Sequence, residues 1–234
     1  DAPAAIIQLK NALQARPDST RARFLLGQAL LTTGDAVGAE TEFKKAQELG
    51  LPPDEVLPRL AQALLQQGQY RKLTTEYAGA QLTQAQAQAG LKTALAIAWK
   101  RQGQEDKFKA TLEEALRAQA DYAPALMELA RTRAVQGDPE GALALLDKVP
   151  ATSPVADEAL KLRGDVLLFG KNDPNAALAL YQEALKVNPR YVEGQAATVQ
   201  LLLGQGKNDA AATALQALEK SAPGHPKPLY LQAK

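Results

Sequence analysis

Residues 26–46 read Leu26-Gly-Gln-Ala-Leu30-Leu-Thr-Thr-Gly34-Asp35-Ala-Val-Gly-Ala39-Glu-Thr-Glu-Phe43-Lys-Lys-Ala46. Leu26, Gly27 and Leu30 share one face of a helix at i, i+1 and i+4. Gly34-Asp35 ends that helix with a residue that accepts positive φ. Ala39, Phe43 and Ala46 then stand at i, i+4 and i+7, one stripe of a second helix. The stretch is a helix–turn–helix whose two apolar stripes cannot be buried within it.

The pattern recurs along the whole chain. Glycines fall at Gly34, Gly68, Gly103, Gly137, Gly170 and Gly206, with steps of 34, 35, 34, 33 and 36 residues. A small or apolar series, Ala12, Ala46, Ala80, Ala115, Val149, Ala184 and Leu218, steps by 34 or 35. A bulky series, Leu9, Phe43, Tyr77, Leu112, Leu146, Tyr181 and Leu215, runs three residues ahead of it. Prolines mark repeat ends at Pro17, Pro154, Pro189 and Pro223. Two-helix units of this kind bury their stripes by stacking on their neighbours, which predicts an all-α solenoid.

Composition excludes several classes of function. Across 234 residues, 27 Lys and Arg face 26 Asp and Glu, so the basic excess that nucleic acid or an anionic membrane surface would demand is missing. Aromatic residues make up 5%, too few for a base-stacking platform. There is no Cys, hence no disulfide, thiolate nucleophile or Cys-containing zinc site. The one His, His225, sits in a Pro-rich turn and cannot build a two-His metal site. No apolar run is long enough to span a membrane. Asp35, Asp138 and Asp173 fall at turns, where local hydrogen bonding accounts for them without a metal. No enzyme motif is present, and neither a cofactor nor a metal is expected.

The residues Leu26-Gly27, Leu30, Gly34-Asp35, Ala39, Phe43 and Ala46 resemble the tetratricopeptide repeat (TPR) pattern. So do Gly164, Leu167, Ala177, Tyr181, Ala184-Leu185 and Pro189. The resemblance covers the chain as a single array, a right-handed superhelix of antiparallel helix pairs. It runs as a half repeat over 1–19, full repeats over 20–53, 54–88, 89–122, 123–156, 157–191 and 192–225, and the start of a further first helix over 226–234. Both ends would then be cut mid-repeat. The array is expected to continue in a longer protein and to self-associate weakly through Ile6, Ile7 and Leu9 at one edge and Leu229, Tyr230 and Leu231 at the other.

Two departures from the period carry expectations of their own. Thr83 with Gln86 three residues later forms a capping-box pattern and predicts a long first helix over roughly 84–102. The Gln-Ala alternation at 84–89 also fits low complexity. One extra residue near 171–174 predicts a lengthened turn.

The TPR resemblance implies that first helices line a concave groove holding protein partners. Its groove positions map onto Arg21, Phe24, Gln28, Arg59, Gln62, Ile97, Lys100, Arg101, Met127, Arg131, Lys161, Asp165 and Gln200. Arg59, Lys100, Arg101, Arg131 and Lys161 give this set a basic component suited to an acidic segment, or else simply keep the surface wet. Phe24 and Gln28, and then Gly90 and Ala94, stand where a chaperone-tail carboxylate clamp would need Lys and Asn, which excludes that clamp. Arg133 and Arg163 occupy positions of the apolar core, where pairing with Glu128, Glu140, Asp147 or Asp165 would offset their burial; the alternative is an Arg reaching an interface. Trp99 is expected in the core.

Ala22-Arg-Phe-Leu-Leu-Gly27, Ala39-Glu-Thr-Glu-Phe-Lys-Lys-Ala46 and Glu48-Leu-Gly-Leu-Pro-Pro-Asp-Glu-Val-Leu-Pro58 resemble more closely the PrsT-type TPR proteins of bacterial exosortase (PEP-CTERM) systems. That resemblance implies a periplasmic or outer-membrane-anchored lipoprotein scaffold of a Gram-negative envelope. Its partners would be proteins of exopolysaccharide export and protein sorting. An arm touching polysaccharide or an outer-membrane exporter, and a cytoplasmic chaperone or regulatory TPR, are the alternatives.

Overall fold

The computed structural model describes residues 2–223. His225, the end of the last full repeat and the expected helix start at 226–234 lie outside the described residues. Thirteen α-helices and no strand occur among the described residues. The chain divides into two compact units, Asp1–Ala125 and Leu126–Lys234.

The first unit holds α1 (Ala2–Ala15), α2 (Thr20–Thr32), α3 (Ala36–Glu48), α4 (Pro53–Gln66), α5 (Tyr70–Tyr77), α6 (Ala85–Arg101) and α7 (Glu105–Ala118). Turns of a few residues force each first helix to return as its second helix. α2, α4 and α6 pack side by side, α3 packs on α2 and α4, α5 on α4 and α6, and α7 on α6. Phe43, Leu64, Leu73, Leu91 and Leu95 are fully buried at these crossings, with Ala39, Ala46 and Ala63 where backbones approach. Gly27 is required by its neighbour, since a Cβ there would stand 2.6 Å from Phe43 Cε1. The glutamines that end first helices tie each repeat to the one before it. Gln67 Nε2 donates to the Ala36 carbonyl at 3.1 Å, and Gln102 Nε2 to the Tyr70 carbonyl at 3.2 Å.

The glycine period corresponds to the turns. Gly34, Gly68, Gly103, Gly137 and Gly206 hold φ between +69° and +87°. Asp35 accepts from the Gly38 amide at 2.8 Å and caps α3; Asp138 and Asp173 do the same for later second helices.

The long first helix is present, but the capping box is not. α6 begins at Ala85 with Gln84 as its N-cap, and no side chain caps it. Asp54, on α4, takes the Gln84 amide at 2.6 Å and the Thr83 hydroxyl at 3.1 Å instead. Asp54, at the start of α4, accepts both groups at once and so ties the start of α6 to α4. Trp99 is also corrected: it is half-buried, with Lys107 Nζ 4.4 Å from its ring centroid, not in the core.

The second unit takes up α8 (Ala123–Val135) from Leu126 on. It continues with α9 (Pro139–Leu146), α10 (Ala156–Asp165), α11 (Pro174–Val187), α12 (Val192–Gly204) and α13 (Asn208–Ser221). α10 runs on as a π-helical turn, Val166–Gly170. This turn absorbs the extra residue expected near 171–174. Gly170 is therefore not the left-handed stop that its place in the glycine series predicts. That conformation passes to Asn172, at φ +53°, immediately before the cap Asp173. Asn tolerates the left-handed region because its short amide bonds locally.

Arg133 and Arg163 both pair, but neither lies in the apolar core that its repeat position predicts: the Arg133 side chain is exposed and that of Arg163 half-buried. Arg163 meets Asp147 at 2.9 Å. Arg133 meets Asp138 at 3.1 Å, a cap residue outside the expected set of partners.

Candidate functional site

The second unit carries a concavity built on α10, the π-turn, α11 and α12. α10 places Lys161 and Asp165 one turn apart, with Lys161 Nζ donating to Asp165 Oδ2 at 2.7 Å. From α11, the Tyr181 hydroxyl donates to Asp165 Oδ1 at 2.8 Å. Tyr181 reaches that carboxylate because Gly164 leaves room for its ring; a Cβ there would collide with Tyr181 Cε1. Burial, then the hydrogen bond to Asp165, then the charge of Asp165 push the Tyr181 phenol well above its usual range.

Around this triad lies a cleft of about 480 Å³, lined by Leu168, Phe169, Pro174, Ala197, Gln200, Leu201 and Gln205 beside the triad itself. Phe169 is 81% exposed. Widening the helix to a π-turn changes where side chains emerge, and such turns recur at functional sites. Gln205 Oε1 is buried with no hydrogen-bond partner. A second hollow of about 380 Å³ shares Lys161 and Asp165 and adds Arg131, Glu158, Leu162, Tyr191 and Glu193. Partial burial and the Asp157 carboxylate push Glu158 up, Arg131 opposes this, and Glu193 adds to the rise. The cleft is thus mostly apolar with an aromatic lip, and the hollow beside it is polar.

The expected groove residues divide between the units. In the first, Arg21 pairs with Glu55 at 2.8 Å, and its guanidinium lies 5.4 Å from the Phe24 ring centroid. Arg59 donates to Gln62 at 3.1 Å. Lys100 Nζ stands 4.8 Å from the Phe108 ring centroid, Arg101 is exposed, and Gln28 and Ile97 are half-buried. In the second, Arg131 pairs with Glu128 at 2.6 Å. Arg131, Lys161, Asp165 and Gln200 come together in the two hollows.

Two expected contacts belong to the core instead. Phe24 is 5% exposed and packs on Phe43 with ring centroids 5.7 Å apart; Met127 is 3% exposed within the α8–α10 core. Each is apolar on a helix face that a neighbouring helix covers more fully than the repeat position alone indicates. The basic character is also offset in the second unit, where Glu128, Glu158, Asp165 and Glu193 stand around Arg131 and Lys161.

Phe169, Tyr191 and Gln205 are not among the expected residues. For Phe169 a signal exists in the extra residue before Asp173, which forces the helix to widen just where Phe169 leaves it. Tyr191 and Gln205 carry no comparable mark.

Two profiles, each described as tetratricopeptide repeat, match residues 168–234 in one case and residues 1–54 and 109–157 in the other. No curated protein matches the chain in sequence. Among solved structures, it is similar to the APC/C hetero-tetramer Cut9-Hcn1 at a TM-score of 0.67 and 14% identity, covering 100% of this chain and 46% of that one. The chain therefore spans about half the length of that relative. A thermophilic TPR protein of Thermus thermophilus gives a TM-score of 0.62 at 20% identity, over 79% of this chain and 100% of that one. PilF of Pseudomonas aeruginosa gives 0.53 at 16% identity, over 93% of this chain and 82% of that one. At these identities the likeness speaks for the fold alone. With repeat profiles over most of its length and the glycine-to-aromatic packing of Gly27 on Phe43 and Gly164 on Tyr181, the chain belongs to the tetratricopeptide repeat family.

Proposed function

We propose that the chain is a non-enzymatic protein–protein interaction scaffold of the bacterial cell envelope, serving exopolysaccharide export and the sorting of PEP-CTERM proteins. The inner face of the second unit holds an extended segment of a partner protein. The observation that carries the binding role is Phe169, an 81% exposed aromatic at the lip of an apolar cleft. Exposed aromatics beside a concavity mark interaction sites more reliably than scattered aliphatics do. Lys161, Asp165, Arg131 and Glu193 in the adjoining hollow offer both signs of charge, which suits a polar stretch following an apolar anchor. The envelope placement rests on the resemblance of residues 22–58 to the PrsT-type proteins.

A photo-crosslinking residue at position 169, in cells that make the protein, tests this reading. The expected result is capture of a secretion or sorting component of the envelope, abolished when Lys161 is replaced by Glu. Capture of cytosolic proteins only would overturn the placement, and no capture at position 169 would overturn the groove.

A further inference from the structure

Two second helices, α5 and α9, are only 8 residues long, against 13 or 14 in the others. After α5 the chain folds Ala78, Ala80 and Leu82 back onto the core, and α6 starts early. After α9 the gap is less completely filled. The connection at 147–155 packs Val149 and Val155 on the core, yet a recess of about 210 Å³ remains between α9, α10 and α11.

This recess does not belong to the groove. At 100° per residue, Arg163 leaves α10 on the side opposite Lys161 and Asp165. Leu146, Val149, Pro150, Leu160 and Val187 form its apolar wall, and Val187 is 54% exposed. Arg163 also lines it, and the Arg163 Nε atom is buried with no hydrogen-bond partner although the guanidinium pairs with Asp147. Glu183 stands at the rim, exposed and without an ion pair among the described residues. The nearest cations in sequence, Lys148 and Lys186, do not line the recess.

We infer that this recess is a second docking site, on the α9–α11 side. It takes one aliphatic side chain of a partner polypeptide that is followed directly by Lys or Arg. The aliphatic group fills the apolar wall, and the cation pairs with Glu183. A carboxylate is the wrong ligand, because Glu183 would repel it and the Arg163 guanidinium is already paired with Asp147.

The test uses the whole chain and three capped hexapeptides whose central pair is Leu-Lys, Ala-Lys or Leu-Glu, flanked by glycines. Methyl NMR follows the titration. The Leu-Lys peptide shifts the methyls of Leu146, Leu160 and Val187 and leaves those of Leu168 and Leu201 in place. Ala151→Trp, on the exposed wall, weakens it at least about tenfold. Glu183→Lys weakens it about fivefold and turns the preference to Leu-Glu. If Ala151→Trp does not fold, the exposed Glu183→Lys variant decides alone. Phe169→Ser leaves this binding unchanged, which separates it from the groove. Absent shifts at millimolar peptide, equal binding of Ala-Lys, or affinity indifferent to position 183 would each overturn the site.

Discussion

The Tyr181 hydroxyl donates to Asp165 Oδ1 at 2.8 Å while Lys161 holds the other carboxylate oxygen at 2.7 Å. One carboxylate on α10 therefore links a buried second-helix ring to the open face of the groove. Gly164 makes this possible by letting the ring lie against the α10 backbone.

Tyr181→Phe removes that donor while keeping the ring. Asp165 retains Lys161, so the loss of unfolding free energy in urea is about 1–2 kcal/mol. A loss near that of a core cavity, roughly 4 kcal/mol, would mean that the ring rather than the hydroxyl had been disturbed.

The same phenol sets an alkaline limit. Its pKa is raised on folding, so its stabilisation is complete below the unfolded value of about 10 and is lost as the pH climbs beyond it. Tyr191, raised mainly by burial and then by Glu158, acts in the same direction. Chemical denaturation from about pH 8 to about pH 11 should show a falling limb. That limb should be shallower in Tyr181→Phe and shallower still with Tyr191→Phe added.

Glu40 governs the acid side of the first unit. Burial pushes its carboxyl up, but Lys72, Gln67 and Lys44 outweigh this and bring it down from 4.5 to about 2. Because folding lowers the pKa, the stabilisation is full above about 4.5 and disappears as the pH falls through about 2. It amounts to at most roughly 3 kcal/mol. Glu40→Gln should flatten stability against pH in that window; an unchanged slope would assign the acid limb to other carboxylates.

Gly27→Ala and Gly164→Ala place a methyl group against Phe43 and Tyr181 respectively. Each should lower stability by about 1–3 kcal/mol, as overpacking does. Gly79→Ala, where a Cβ meets nothing within 4 Å, should stay within about 0.5 kcal/mol. Thermal unfolding of the three variants compares them directly.

Phe169→Ser should leave stability within about 0.5 kcal/mol, since the ring is already in water. Partner binding through the groove should fall at least about tenfold, measured by calorimetry with a partner identified by crosslinking. Equal affinity would remove Phe169 from the site.

Much of the fold was legible because it is periodic. Gly27, Phe43 and Ala46 announce a close-packed helix pair, and the same residue classes return at Gly164, Tyr181 and Ala184. The period misleads where a helix stops while the residue series continues: Ala80 and Val149 keep their places in the series but lie beyond α5 and α9. Arg131, Lys161, Asp165 and Gln200 line hollows of the second unit, because each helix sets the direction in which its side chains leave it. Phe24 and Met127 could not be placed from repeat position, since their burial depends on how closely neighbouring helices approach.

The helix–turn–helix unit, its repetition and its turns follow from the order of residues alone, because glycine conformation, Asp caps and apolar stripes act over a few positions. Tertiary packing decided that Asp54 takes the Thr83 hydroxyl and the Gln84 amide and that Phe169 stands in solvent, whereas the pairs of Arg131 with Glu128 and Lys161 with Asp165 each lie within one helix. The Asp54–Gln84 bond joins groups 30 residues apart, and the Asp165–Tyr181 bond joins groups 16 apart. The exposure of Phe169 depends on how a helix accommodates an inserted residue. A spacing pattern contains neither those distances nor that accommodation.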